Sequence, residues 1–362
     1  MEKIEESMRP VWSGGQICRE TLTMVEENGR CAAPFLYEPK ELLRLESYDG
    51  AQIYEKGRDY QIEGRMLTLT ENSRIPRASW SDFYDPSEAR AKERQEQLSL
   101  GFGPVETTDG RYVRLEAVGH PELVTRFQVA ATYLTEEAWP GEKPASGLPL
   151  LPRFVQKTAA KEPIRLLVYG DSISCGYDCS GLYGMPPYQP IWPVLLKDSL
   201  EAFYGLKIEL INTSVGGVDT DWACENAMEQ ACRYQPDLVL LGFGMNDRCP
   251  GAEYARKTER LIQAIRGACP STELVLLATS LPNPLLKTAP FYFCAHQEEY
   301  ADALRPLCGP GVAMADIQGV QRTLMTRKRY IDLAGNLLNH PNDYLARVQA
   351  QTVAAALMPL EA

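Results

Sequence analysis

The stretch LLVYGDSIS (residues 166–174) decides how this chain is read. Four apolar or aromatic residues, Leu166 to Tyr169, run straight into a polar turn, Gly170-Asp171-Ser172. An unbroken apolar run marks a strand buried on both faces of a parallel sheet, whereas a half-exposed strand alternates. A serine directly behind such a strand is either an ordinary turn residue or a hydroxyl held up at a strand tip. The rest of the chain has to separate the two.

Working outward, the pattern repeats. Apolar runs at 164–169, 206–211, 237–243, 273–278 and 312–317 alternate with helical segments at 191–204, 222–234, 252–268 and 296–307. In the third of these helices Tyr254, Leu261, Ile262 and Ile265 fall on one face,. This rhythm predicts an α/β fold with a flavodoxin-like, doubly wound, parallel five-stranded sheet.

The first half has another rhythm. From about residue 10 to 135, short alternating stretches such as ELLRLESY and RMLTLT are separated by Asn28-Gly29, Asp49-Gly50, Glu63-Gly64 and Asp109-Gly110. Strands punctuated this way predict a β-sandwich of jelly-roll type. One interruption, DPSEARAKERQEQL (85–98), reads either as a helix capped by Asp85 or as a charged surface loop,. The Pro- and Gly-rich WPGEKPASGLPLLP (139–152) reads as a linker,. The expected division is therefore a β-sandwich domain over 1–150 and an α/β domain over 151–362.

Composition narrows the function. The chain has 362 residues, 44% hydrophobic and 23% charged, within the globular range,. A net charge of −11 disfavours nucleic acid, because nothing supplies a basic patch for phosphates,. The one dense cationic run, TRKRY (326–330), is expected to be a solvated surface element,. No run approaches the roughly 18 apolar residues of a membrane span, so no membrane partner is expected. The acidic start MEKIEESMRPVW lacks the apolar stretch of a secretory signal,. Ten cysteines without a framework of short spacings then read as reduced thiols in a cytoplasmic protein,. Cys175 and Cys179 have no second ligand pair at zinc spacing, and no metal or organic cofactor is implied,.

In such a sheet, ligands bind beyond the carboxyl ends of the strands. Strand one ends in GDSIS, strand two in NTSVGG (212–217), strand three in GFGMND (242–247), and the last helix follows NHPND (339–343). Ser172, Gly217, Asn246 and His340 should therefore meet at one edge. A serine hydroxyl needs a base within hydrogen-bond reach to act as a nucleophile. Of three histidines, His120 reads as a turn residue and His296 as a helix-surface residue, which leaves His340. Pro341 keeps His340 extended, while Asn342 and Asp343 suit the cap and first turn of the following helix. The N–H groups of Ser172 and Gly217 and the Asn246 amide would supply donors for an oxyanion. Taken singly, each block is ordinary turn composition; four of them at the right ends of successive elements are not.

GDSIS, NTSVGG, GMND and NHPND together resemble, in order, the four blocks of the SGNH (GDSL-type) hydrolases, over residues 163–358. The resemblance implies Ser172 as nucleophile, His340 as general base, Gly217 and Asn246 as oxyanion donors, and a turn shaped by Asp171. The β-rich half resembles jelly-roll domains that precede some carbohydrate esterases. The implied activity is a serine esterase removing a small acyl group, acetyl, from a carbohydrate or related polar metabolite, with a small-molecule or oligosaccharide ester as partner. The alternatives are a lipid esterase or thioesterase of the same fold, and a non-catalytic carbohydrate-binding protein with a vestigial hydrolase domain. The oligomeric state is left open.

One position departs from the family. Leu337 stands where these hydrolases usually carry an aspartate, three residues before the histidine. The expected substitute is a backbone carbonyl near Leu337 or Leu338, ahead of the Asn339 side chain, Asp332 or Asp343. The segment SGLYGMPPYQPIW (180–192) is expected to overhang Ser172, with Tyr183, Tyr188 and Trp192 either forming a sugar-stacking wall or packed as a surface loop. Trp222 has the same two readings.

Overall fold

The structure, a computed structural model, describes residues 4–98, 103–287 and 295–359. The β-rich half contains β1 (Gly15–Thr23), β2 (Val25–Glu27), β3 (Arg30–Pro34), β4 (Glu41–Ser47), β5 (Tyr60–Glu63), β6 (Met66–Leu69), β7 (Tyr84–Asp85), β8 (Tyr112–Val113) and β9 (Gln128–Thr135). They pair antiparallel into sheets of order β1-β9-β4 and β2-β3-β6-β5, with β7 and β8 as a separate pair. Asn28 and Gly29, at φ +52° and +76°, form the two-residue loop between β2 and β3. Left-handed backbone at both positions matches the twist of a tight hairpin. The two larger sheets share one apolar cluster containing Ile17, Leu22, Leu45, Leu67 and Tyr133. The charged stretch does form a helix, Glu88–Leu98, and Asp85 sits in β7 paired with Arg94.

The second half contains β10 (Ile164–Gly170), β11 (Ile208–Asn212), β12 (Leu238–Gly242), β13 (Glu273–Leu277) and β14 (Val312–Ala315), all parallel, in the order β11-β10-β12-β13-β14. The apolar run of β10 is explained by both faces. Leu166 and Val168 enter the cluster under the helices Trp192–Tyr204 and Asp343–Leu357, while Leu167 and Tyr169 enter the one under Thr220–Gln230, Gly251–Ala268 and Gln297–Leu304. Each such aliphatic side chain contributes about 1.5–3 kcal/mol on burial. No helix among the described residues is long and apolar enough to cross a membrane.

Three sequence expectations change here. The stretch 139–152 is packed rather than a free tether: Gly147 N–H donates to Ala356 O at 2.8 Å, Leu151 is fully buried, and a helix starts at Pro152. A further helix, Ile317–Met325, begins where the last apolar run was expected to continue as strand. Most importantly, TRKRY is no solvated run. Lys328 is buried against Glu20 at 2.6 Å, Arg329 pairs with Asp332, and Arg327 reaches Glu137. Charge density alone says nothing about exposure when two of the three compensating carboxylates, Glu137 and Glu20, come from 190 and 308 residues away along the chain.

The two halves share a core. The helix Asp343–Leu357 turns Ala346, Ala350 and Val353 toward the parallel sheet, and Tyr344, Leu345 and Val348 into the cluster between the antiparallel sheets. That double contact is why nearly every residue of this helix is buried.

Candidate active site

The tip of β10 is built around missing side chains. A Cβ on Gly170 would lie 2.4 Å from Ser174 Oγ and 2.6 Å from Gly242 O, so only glycine allows this approach of β10, β12 and the following turn,. The Asp171 carboxylate then accepts from Ile173 N–H at 3.0 Å and caps one helical turn, Ser172–Cys175, which Gly176 ends at φ +86°. Trp192 Nε1 donates to Ile173 O at 3.0 Å and clamps the same turn from below. Ser172 is thereby held at the sheet edge.

His340 arrives from 168 residues away and places Nε2 2.9 Å from Ser172 Oγ. Its loop is stitched by Asn336, whose Oδ1 accepts the N–H groups of Leu338, Asn339 and His340 at 2.9, 2.9 and 3.1 Å. The following helix starts as read: Asn342 accepts from Leu345 N–H and Asp343 lies in the first turn.

The group behind the ring is Asp178, which sequence reading missed. His340 Nδ1 lies 2.7 Å from Asp178 Oδ2, and the acid is wholly buried. This corrects the expected backbone carbonyl, and Asp332, Asp343 and Leu337 O are engaged elsewhere. Asp332 holds Arg329 and Thr23 N–H, Asp343 accepts from Ser180 N–H, and Leu337 O accepts from Asn283. A signal was present: Asp178 is only six residues beyond Ser172, behind the turn glycine Gly176, so it had to remain at the same strand tip.

The tautomer follows from chemistry. Asn336 Nδ2 also lies 2.9 Å from His340 Nδ1 and donates to Asp178 Oδ2 at 2.7 Å. Three backbone donors on its Oδ1 fix which end of that amide is nitrogen. A carboxylate can only accept, so Nδ1 carries the proton and gives it to Asp178. Nε2 is left with its lone pair facing the serine hydroxyl.

Gly217 and Asn246 come to the same edge. Val215 N–H donates to Gly170 O at 3.0 Å, which ties the loop after β11 to the tip of β10; two residues on, Gly217 is exposed at φ +79°. Asn246 Nδ2 spends one proton on Val218 O at 3.0 Å, which orients the amide toward the Gly217 loop. Its neighbour Asp247 holds Thr220 through the hydroxyl at 2.8 Å and the N–H, fastening the two loops together. Burial lifts the Asp247 carboxyl to about 6, and lifts that of Asp171, the cap of the Ser172 turn, to about 7,.

The aromatic residues divide. Trp192 is 1% exposed and belongs to the core, which corrects its reading as part of a wall. Trp222 is half-buried against Tyr169. Tyr183 is partly exposed, with its hydroxyl 3.4 Å from Asp178 Oδ1, and Tyr188 is 63% exposed. Tyr177, not singled out from the sequence, packs edge-on against the His340 ring at 5.8 Å and occupies the space left by Gly216. Cys175 and Cys179 are set into the protein: burial pushes the Cys175 thiol up to about 11, and Cys179 Sγ meets Pro341 O.

Among known proteins, residues 168–348 match the model of the GDSL-like lipase/acylhydrolase family. An arylesterase of Vibrio mimicus is 34% identical over 98 residues, 27% of this chain and 45% of that protein; the chain thus spans less than half the length of this curated relative. Among solved structures, a two-domain esterase active on acetylated mannans is 17% identical with a TM-score of 0.47, covering 58% of this chain and 52% of that one. Axe2, an acetylxylan esterase from Geobacillus stearothermophilus, is 16% identical with a TM-score of 0.42, covering 54% and 94%.

Proposed function

The chain belongs to the GDSL-like lipase/acylhydrolase family, and on that footing we propose that it is a serine esterase that removes a small acyl group, acetyl, from a carbohydrate or related polar metabolite. The observation that carries this is the continuous relay from Ser172 Oγ to His340 Nε2 at 2.9 Å and from His340 Nδ1 to Asp178 Oδ2 at 2.7 Å. A turn serine has no use for an imidazole in that tautomer backed by a buried carboxylate; a nucleophile does.

In this mechanism Ser172 Oγ attacks the acyl carbonyl while His340 Nε2 takes its proton. Asp178 steadies the resulting imidazolium. The oxyanion accepts from the N–H groups of Ser172 and Gly217 and from the second N–H of Asn246; loss of one such donor typically costs about 2.7–4 kcal/mol. His340 then protonates the departing alkoxide. Water, deprotonated by the same imidazole, releases the acyl group from Ser172.

The leaving alcohol must lie beside His340, because that ring supplies its proton. There it meets Tyr177, with Tyr183 and Tyr188 on the same overhanging segment. Partly exposed tyrosines offer an apolar face and a polar rim, which suits a pyranose or a similar flat polar group. Cys31, Cys175, Cys179, Cys224, Cys232, Cys249, Cys269 and Cys308 are free thiols, which supports a reducing, cytoplasmic setting,.

The test is acetate release from a panel of acetylated mono- and oligosaccharides, with Ser172→Ala as control. A clear preference for p-nitrophenyl octanoate over the acetate overturns the small-acyl reading. Failure of a serine-directed phosphonate to label Ser172 in folded protein overturns the esterase reading in favour of binding alone.

A further inference from the structure

We propose that the β-rich half is a working part of the catalytic apparatus, through the backbone N–H of Gly119, which positions the acid Asp178. The inference rests on the esterase reading and goes beyond it, since it assigns a positioning duty to a region outside the family match at 168–348.

Asp178 can orient His340 only if its carboxylate plane is fixed. Oδ2 is occupied by His340 Nδ1 and Asn336 Nδ2, both at 2.7 Å. Those two donors leave the carboxylate free to swing about Oδ2. What stops it is on Oδ1, where Gly119 N–H donates at 2.9 Å; the Tyr183 hydroxyl stands farther off at 3.4 Å. The donor comes from 59 residues before the acid, in the chain between β8 and β9.

The Gly119 loop is built to hold that N–H still. Gly119 has φ +77°, and a Cβ there would meet nothing within 4 Å, so the glycine answers a backbone direction rather than a shortage of space,. Val118 N–H and His120 N–H close onto Leu115 O and Ala117 O on either side. Leu115, Ala117, Val124 and Phe127 share one apolar cluster with Leu337 and Leu338 of the histidine loop. Tyr84 Oη, from β7, also meets Asn283 Nδ2, which donates to Leu337 O at 2.8 Å. The loop that pins the acid and the loop that carries the base thus rest on the same β-rich wall. This follows from Leu337: with no carboxylate on the histidine's own loop, the acid stands on a separate turn and needs an outside donor.

The experiment replaces Gly119 by glycolic acid in the full chain, so that a backbone ester stands where the N–H was and no side chain is added. N-methylglycine at position 119 serves as a second replacement lacking the N–H, since an achiral residue still reaches φ +77° whereas proline does not,. Both are made in wild-type and Asp178→Asn backgrounds. kcat and KM are measured on p-nitrophenyl acetate, and the downfield His340 Nδ1–H proton resonance is followed without substrate.

In the wild-type background the ester should lower kcat about 10²-fold, the effect expected of a misplaced catalytic group, with KM unchanged and the Nδ1–H resonance broadened. In the Asp178→Asn background it should add nothing, because Gly119 acts through the acid. An unchanged kcat, or losses that multiply across the two backgrounds, overturns the proposal. If the wild-type protein fails to hydrolyse any ester, the esterase reading falls, and the resonance alone judges the positioning: unaltered by the ester, it overturns that too.

Discussion

Among the described residues, the buried charges at the junction of the two halves and those at the tip of β10 differ in how completely each is answered. At the junction of the two halves, the three protons of Lys328 go to Glu20 at 2.6 Å, Thr21 O at 2.9 Å and Pro34 O at 2.8 Å. Glu20 in turn accepts from Leu36 N–H and Tyr133 Oη, and Asp332 accepts from Thr23 N–H and three nitrogens of Arg329. At the tip of β10 the pairing is left incomplete. Asp171 Oδ2 lacks a well-formed hydrogen bond, and Asn246 Nδ2 makes one, to Val218 O at 3.0 Å. A saturated buried network holds structure in place, whereas an unsaturated one keeps its stabilising capacity for a transition state.

The sharpest break in this contrast is chemical. Ser172→Ala should lower turnover by about 10⁶ while leaving the thermal midpoint almost unmoved, as measured by burst-free steady-state kinetics and calorimetry. Asp178→Asn follows at about 10⁴, because a carboxamide can offer Nδ1 a donor and so invite the wrong tautomer; a pH-rate profile should show the loss at every pH.

The junction should behave in reverse. Lys328→Met leaves Glu20 charged and alone in the interior, which typically costs about 3–5 kcal/mol. Urea unfolding should show that loss, while kcat of the folded fraction stays at the wild-type value. Adding Glu20→Gln should recover part of it.

A smaller effect tests the unfinished charge directly. Burial lifts the Asp171 carboxyl to about 7 in the folded protein, against an unfolded value near 4,. Between those values the folded state holds the extra proton, so ionisation works against folding and stability falls as pH rises through the window. Asp171→Asn should remove that slope and leave the variant about 1–3 kcal/mol more stable than wild type at pH 8, read from denaturant midpoints at pH 5 and pH 8. Smallest of all, Tyr177→Ala should raise KM for acetylated sugars by about two- to tenfold, the worth of one aromatic contact, with kcat little changed.

Much of the fold could be read from local pattern. Each of the five parallel strands lies within about three residues of its apolar run, because burial on both faces leaves an unbroken hydrophobic signature at the site itself,. The blocks holding Ser172, Gly217, Asn246 and His340 were placed for a related reason: each ends or follows such an element, and Ser172 and His340 meet there at 2.9 Å. Trp192 and TRKRY were misread because both look like surface chemistry. One is an indole clamping the Ser172 turn, and the other is a set of cations two of which, Arg327 and Lys328, find their carboxylates far off in the chain.

The sequence by itself determined the sheet, the strand-tip blocks and the pairing of a serine with one histidine, since these depend on residue type and on the handedness and order of α/β connections. Only the tertiary structure decided which carboxylate serves that histidine. Asp178, Asp332 and Asp343 are chemically identical, and what separates them is direction: a left-handed residue at φ +64° behind a glycine turn, pointed at a ring 162 residues away. Side-chain direction of that kind is set by long-range packing, here with the β-rich half; nearness to Ser172 makes Asp178 a candidate but does not choose it.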